Sequence, residues 1–140
     1  PPEALELLGG IVDIYMPDVK SFAGDFCSEY LHAPDYPEVV KNAVRIMASQ
    51  VGDFQLDERG IARRGVLVRH LVMPEREADS REILEFLRNE VPARIMLNVM
   101  DQYRPCYRSL DYPELDHRTP HSTFERVRDY ARELGLWLSD

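Results

Sequence analysis

Asp18 and Lys20 stand one residue apart, just past an apolar run, Ile11-Val12-Asp13-Ile14-Tyr15-Met16, that Pro17 closes. A carboxylate and an ammonium at that spacing can hold a zwitterion, move a proton, or pair with each other as a solvated turn. Arg69 is harder to dismiss. It lies inside Val66-Leu67-Val68-Arg69-His70-Leu71-Val72-Met73, where an unpaired charge is costly. Its guanidinium therefore either pairs with an acid or binds an anionic group. After a third apolar run come Asp101, Gln102, Tyr103 and Arg104. Three successive runs thus each deliver charged groups. That pattern suits a zwitterionic or phosphate-bearing small molecule, because an Arg fork matches carboxylate and phosphate geometry.

Other polar residues have plainer readings. His70 fits a hydrogen-bonded packing histidine. His32, His117 and His121 lie in loop-like segments without metal-ligand spacing. Cys106 sits between Arg104 and Arg108 with no base partner in view. Tyr103, Tyr107 and Tyr112 belong to one polar stretch, as a binding surface or as loop packing.

The elements that must position these groups alternate. The run Ile11–Met16 reads as a strand between Gly9-Gly10 and Pro17, and residues 22–32 have room for a short helix. Asp35-Tyr36-Pro37-Glu38 is a helix start, with Val40, Val44, Met47 and Val51 on one face and Gly52 as the stop. Residues 54–57 and 61–63 flank Glu58-Arg59-Gly60 as a small hairpin. The run from Val66 to Met73 reads as a strand buried in a parallel sheet. Asp79-Ser80-Arg81-Glu82 has the capping pattern before Ile83, Leu84, Leu87 and Val91, and Pro92 ends that helix. Arg94–Met100 is a third strand. Gln102–His121 is a long polar segment with Pro105, Pro113 and Pro120. Ser122-Thr123-Phe124-Glu125 is a second capping box, and Leu136-Trp137-Leu138 a last short strand. Strands alternating with amphipathic helices imply right-handed βαβ crossovers and a parallel α/β sheet. Three or four strands are few for an independent sheet or barrel, so the expectation is a partial β/α (TIM-like) barrel lacking its first strands. Residues 1–140 would form one α/β unit of a larger domain, in keeping with an opening Pro1-Pro2-Glu3 that has no initiator Met.

Composition narrows the partners. The 140 residues carry 17 Lys+Arg against 25 Asp+Glu, a formal charge of -8. Nucleic acid and anionic membranes select basic surfaces, so neither is expected as the main partner. No stretch approaches the ~20 apolar residues of a membrane span, and no signal peptide is evident. A cytoplasmic location is expected. Cys27 and Cys106 cannot make a disulfide scaffold and read as reduced thiols.

Five segments taken together carry a resemblance. Tyr15-Met16-Pro17-Asp18-Val19-Lys20, Ala33-Pro34-Asp35-Tyr36-Pro37, Asp57-Glu58-Arg59-Gly60-Ile61-Ala62-Arg63-Arg64-Gly65, Val68-Arg69-His70-Leu71-Val72-Met73-Pro74 and Asn98-Val99-Met100-Asp101-Gln102-Tyr103-Arg104-Pro105 look like the C-terminal part of radical S-adenosylmethionine proteins. Within these, the chain is similar to the uncharacterised group resembling pyruvate formate-lyase activating enzyme. The resemblance spans nearly the whole chain in order. It implies a partial or full β/α barrel whose 4Fe–4S cluster is held by C-x3-C-x2-C. It implies reductive cleavage of S-adenosylmethionine to a 5′-deoxyadenosyl radical that abstracts a hydrogen atom. It further implies a glycyl-radical enzyme, another protein or a small molecule as substrate, and flavodoxin or ferredoxin as electron donor. By position, Asp18 and Lys20 take the cofactor-binding role of the family's D-x-K pair, and Arg69 that of an arginine near the methionine carboxylate. Gln102 and Tyr103 fall near the adenosyl end, where the activases more often carry a Tyr-His pair.

One departure is plain. The chain has no C-x3-C-x2-C, and three thiolates are required for such a cluster. The cluster is therefore expected to be ligated outside this chain, leaving the chain alone without redox activity. Two other classes remain. A lysine-dependent barrel enzyme would use Asp18 and Lys20 for acid–base or Schiff-base chemistry. A non-catalytic binding or scaffold module would use the Tyr-rich loop and the sheet edge.

Overall fold

The computed structural model describes residues 2–139. Its strands are β1 (Ile14–Tyr15), β2 (Gln55–Leu56), β3 (Ala62–Leu71), β4 (Met96–Met100) and β5 (Trp137–Leu138). Its helices are α1 (Pro2–Leu7), α2 (Gly24–Glu29), α3 (Tyr36–Val51), α4 (Glu77–Asn89) and α5 (His121–Glu133), with a short 3-10 helix at Tyr107–Asp111. The sheet order is β1-β3-β4-β5, every pair parallel, and β2 turns back antiparallel on β3. The expected α/β alternation and parallel sheet are both present.

Period-2 alternation decides which side of the sheet is the core. Val66, Val68 and Val72 join Tyr15, Val19, Ile95 and Leu97 in one buried cluster. The helices complete it with Val44 and Ala48 of α3, Ile83, Leu84 and Leu87 of α4, and Val127 and Ala131 of α5. The alternate positions, Ile14, Met16, Leu67, Leu71, Met96, Met100 and Trp137, lie outside that cluster. Ile14 and Met16 are exposed. All three long helices therefore cover the same face. Crossovers of one hand along a sequential strand order require this, because the winding never reverses.

The lower end of the other face is closed by Phe54, which precedes β2. Its ring meets Trp137 edge-on at 5.6 Å, and its N–H donates to the Arg94 carbonyl at 2.8 Å. Phe54 lies against Gly65, whose φ is +119°.

Several local expectations need correction. The 11–16 run pairs only at Ile14–Tyr15. The N–H groups of Ile11 and Val12 both donate to the Leu8 carbonyl, continuing the C-terminal turn of α1 instead of a ladder. The α1 helix itself was not expected. The α4 helix begins at Glu77, two residues before Asp79, whose carboxylate serves a distant segment. The α5 helix begins at His121, because Thr123 and Phe124 already donate to the Pro120 carbonyl. The α3 helix matches the sequence pattern and ends at Gly52, although Asp35 makes no side-chain capping bond.

Candidate functional site

The segment after β1 is clamped to β3 by backbone bonds. The Arg69 N–H donates to the Pro17 carbonyl and the Val19 N–H to the Arg69 carbonyl, each at 2.9 Å. Asp18 is thereby set abreast of Arg69 as an isolated parallel bridge. Paired residues share a face of the sheet, so both side chains emerge on the side away from the helices. Arg69 donates through Nε to Asp18 Oδ1 at 2.7 Å, and Lys20 Nζ lies 3.5 Å from Asp18 Oδ2. The three sequence-predicted groups thus form one cluster at the C-terminal end of the strands, where parallel α/β folds bind ligands.

Both readings of Arg69 find support here: it pairs with an acid and it remains accessible. Its side chain is 38% exposed, and only Nε makes a hydrogen bond among the described residues. The Arg69 guanidinium beside Asp18, helped by Lys20 and opposed by partial burial, holds the Asp18 carboxyl below the usual carboxylate range. Asp18 is therefore ionised at neutral pH. One negative and two positive groups leave the cluster with a net charge of about +1 at neutral pH, on a chain of formal charge -8. An anionic group is what such a cluster attracts.

Supports lie behind and beside it. Tyr36 Oη donates to the Asp18 carbonyl and accepts from the Lys20 N–H, both at 3.1 Å. His70, the next residue after Arg69, points into the core and is fully buried. Its Nδ1 lies 2.8 Å from the Val19 carbonyl and its Nε2 2.9 Å from Ser80 Oγ. A carbonyl only accepts, so Nδ1 carries the proton and Nε2 accepts from the hydroxyl. Asp79 receives the Ser21 hydroxyl at 2.5 Å and the N–H groups of Phe22 and Ala23 at 2.8 and 3.1 Å. The loop carrying Asp18 and Lys20 is therefore held at Asp18, Val19, Lys20 and Ser21.

Burial pushes the His70 imidazole below its usual 6.5, against the opposing effects of the Val19 carbonyl and Asp79. The unfolded chain then binds a proton that the folded one resists. The neutral His70 contribution is complete above pH 6.5 and shrinks as pH falls below it. Urea melts at pH 7.5 and 5.0 will show a smaller unfolding free energy at the lower pH. His70→Gln will be less stable at pH 7.5 by about 2 kcal/mol, for two altered buried bonds, with a flatter pH dependence. An equal pH slope in both chains would contradict this role.

Gln102 and Tyr103 make no hydrogen bond to Asp18, Lys20 or Arg69 among the described residues. Gln102 is exposed and, among the described residues, its side chain hydrogen-bonds Met100 Sδ alone, at 3.5 Å. Tyr103 turns into its own loop and donates to the Leu115 carbonyl at 2.8 Å, where burial raises its hydroxyl pKa. Beyond it, Tyr30 stacks edge-on with Tyr112 and hydrogen-bonds Glu114, tying the loop to α2. The residues that sequence reading missed are Tyr36, Asp79 and Asn98. Asn98 is the β4 register partner of Arg69. Its one local signal is a polar side chain inside the apolar run Met96–Met100.

The cysteines are both free. Cys27 is buried, its thiol 3.6 Å from the Ser21 carbonyl and shifted up by burial, whereas Cys106 is exposed. Among the described residues, no group of three His, Cys, Asp or Glu side chains could hold a metal ion. An iron–sulfur cluster therefore does not fit the described residues of this chain. Nor is any described helix long and apolar enough to cross a membrane.

The chain is 30% identical over 138 residues to an uncharacterized protein of Methanocaldococcus jannaschii, covering 97% of this chain. It spans 36% of that protein's length. No family model and no solved structure matches the chain.

Proposed function

We propose that this chain is the S-adenosylmethionine-binding part of a radical S-adenosylmethionine enzyme, forming part of a β/α barrel. The observation that carries the reading is the cluster of Asp18, Lys20 and Arg69 at the C-terminal ends of adjacent parallel strands. Two further features support it. Helices on one face of a sequentially ordered parallel sheet are what a barrel wall requires, with the other face turned inward. The matched relative is long enough to hold a further segment of similar size.

In this reading, the Arg69 terminal nitrogens take the carboxylate of the methionyl end. Asp18 orients the guanidinium through Nε and leaves its outer fork directed at the ligand. Lys20 adds positive charge at the same rim. When bound, S-adenosylmethionine supplies the sulfonium whose reductive cleavage yields a carbon radical. The cluster that would deliver the electron is ligated, in this reading, by thiolates outside this chain. Electron donor and hydrogen-atom source are likewise partners of the whole protein.

Calorimetric titration of this chain with S-adenosylmethionine is expected to give saturable, one-to-one binding. No binding up to millimolar ligand would overturn the reading. A second reading, a non-catalytic binding module, draws on the exposed Ile14 and Met16 beside the open sheet face. It gains if that titration is silent. A Schiff-base lysine is disfavoured, because Lys20 is 54% exposed and ion-paired with Asp18, whereas such lysines are activated by dry surroundings or a second cation.

A further inference from the structure

The 3-10 helix Tyr107–Asp111 buries none of its side chains. Tyr107, at 85%, is the most exposed large hydrophobic side chain among the described residues, and Leu110 is 56% exposed. The segment is nonetheless held in place. Ser109 Oγ accepts from the Cys106 N–H at 2.7 Å and donates to the Cys106 carbonyl at 2.8 Å. Tyr103 donates to the Leu115 carbonyl, and Tyr30 meets Tyr112 edge-on at 5.0 Å while hydrogen-bonding Glu114. Polar bonds therefore order this segment without burial of its own side chains, and Tyr107 and Leu110 are presented to solvent. Between it and α2 lies a cavity of about 390 Å³, whose lining includes Tyr30, Tyr107, Arg108, Tyr112 and the buried Leu115. Each side of that cavity has a residue other than glycine in left-handed backbone, His32 at φ +52° and Tyr107 at φ +54°. Such backbone costs free energy and recurs where segments contact ligands.

We propose that this surface docks an acidic segment of a partner protein, with one apolar or aromatic side chain of that segment seated in the cavity. Charge selects the occupant. The stretch Tyr103–Leu110 holds Arg104 and Arg108 and no acid, in a chain with 25 Asp+Glu. Both arginines are exposed, and neither enters an ion pair with the described residues. Their guanidinium forks match carboxylates. The acidic remainder of the chain repels such a segment elsewhere, which confines it to this stretch. Glu29, the one acid lining the cavity, belongs to α2, so the partner's carboxylates fall on the 3-10 helix side. Tyr and Arg are also the residues on which binding energy concentrates at protein interfaces, because a rigid ring offers contact area at little entropic cost. Neither Asp18, Lys20 nor Arg69 lines the cavity, so this inference stands apart from the S-adenosylmethionine reading.

The test selects peptides from a random library displayed on phage against this immobilised chain. Enriched peptides are expected to place Asp or Glu beside an aromatic or aliphatic residue. Synthetic copies, titrated by fluorescence anisotropy, are expected to bind Tyr107→Ala and Arg108→Glu about ten-fold more weakly or worse. Binding to the unsubstituted chain is expected to weaken as salt is raised. Both side chains are exposed, so thermal melts of the two variants will match that of the unsubstituted chain. No enrichment, enriched peptides without acids, or undiminished binding by both variants would overturn the inference. Sedimentation of the chain alone tests the other occupant. A dimer that Tyr107→Ala disperses would place a second copy on this surface and overturn the inference as well.

Discussion

Gly65→Ala is expected to cost more than about 3 kcal/mol, lowering the melting temperature by on the order of 10 °C. A β-carbon built on Gly65 would stand 2.4 Å from Phe54 Cα, 2.9 Å from Phe54 N and 3.0 Å from Phe54 Cβ. Two of those atoms are backbone, so no side-chain rotation relieves the contact. Phe54 has little freedom to retreat. Its N–H is bonded to the Arg94 carbonyl, its buried ring meets Trp137 edge-on, and the Arg94 guanidinium lies over the Trp137 ring. Gly65 also sits at φ +119°, where an L side chain is strained regardless of space. Gly60→Ala separates these causes. Gly60 has φ +75° but open space around its missing β-carbon, so only about 1 kcal/mol of backbone strain is expected there. Chemical denaturation of the two variants reads the difference directly. Equal losses would mean that the approach of Phe54 to β3 does not constrain this end of the sheet.

That contact illustrates what a single sequence conceals. Gly65 directly precedes the long apolar run Val66–Met73, but its partner Phe54 lies across a hairpin and is found only in three dimensions. Local signals worked where one element decides its own fate. The α3 helix followed from Pro37 in its first turn, from Val40, Val44 and Val51 on one face, and from Gly52 at its end. They misled where distant groups compete for the same atoms. Asp79 has the sequence of an N-cap, yet its carboxylate binds Ser21, Phe22 and Ala23 and the helix starts earlier. Tertiary hydrogen bonds displaced the local cap, as they can when they satisfy three donors at once.

The candidate site divides in the same way. Asp18, Lys20 and Arg69 were legible because charged residues at strand ends are conspicuous against apolar runs. Their mutual pairing was not, since it depends on the register of Asp18 against a strand some fifty residues away. Asn98 was invisible for that reason: it becomes part of a polar row only once β4 is set beside β3. Gln102 and Tyr103 were chosen by proximity to a strand end; Gln102 reaches Met100 on the open face, and Tyr103 turns into its loop. Tyr103 finds the Leu115 carbonyl within its own loop, a contact that a phenol makes readily when half-buried.

Arg69→Met is expected to abolish most S-adenosylmethionine binding, weakening it about a hundred-fold, while leaving the melting temperature nearly unchanged. The two expectations follow from different magnitudes. A bidentate, charge-assisted contact to a ligand carboxylate is worth on the order of 3 kcal/mol, and that corresponds to about two decades in affinity. The bond to Asp18, by contrast, joins side chains that are 38% and 36% exposed, and such pairs contribute about 0–1 kcal/mol to stability. A residue kept for its ion pair alone would show no loss of ligand. One kept for packing would show a large loss of stability. Arg69→Lys refines the comparison, because it retains the charge and can still approach Asp18 but lacks the planar fork. It should melt like the unsubstituted chain and recover binding only partly, to about ten-fold below that chain. If Lys restores binding completely, the site needs only a positive charge, and a fork aimed at a carboxylate is the wrong description of Arg69. If Met binds as tightly as Arg, the guanidinium belongs to Asp18 alone, and the ligand contact must be sought elsewhere on the open face.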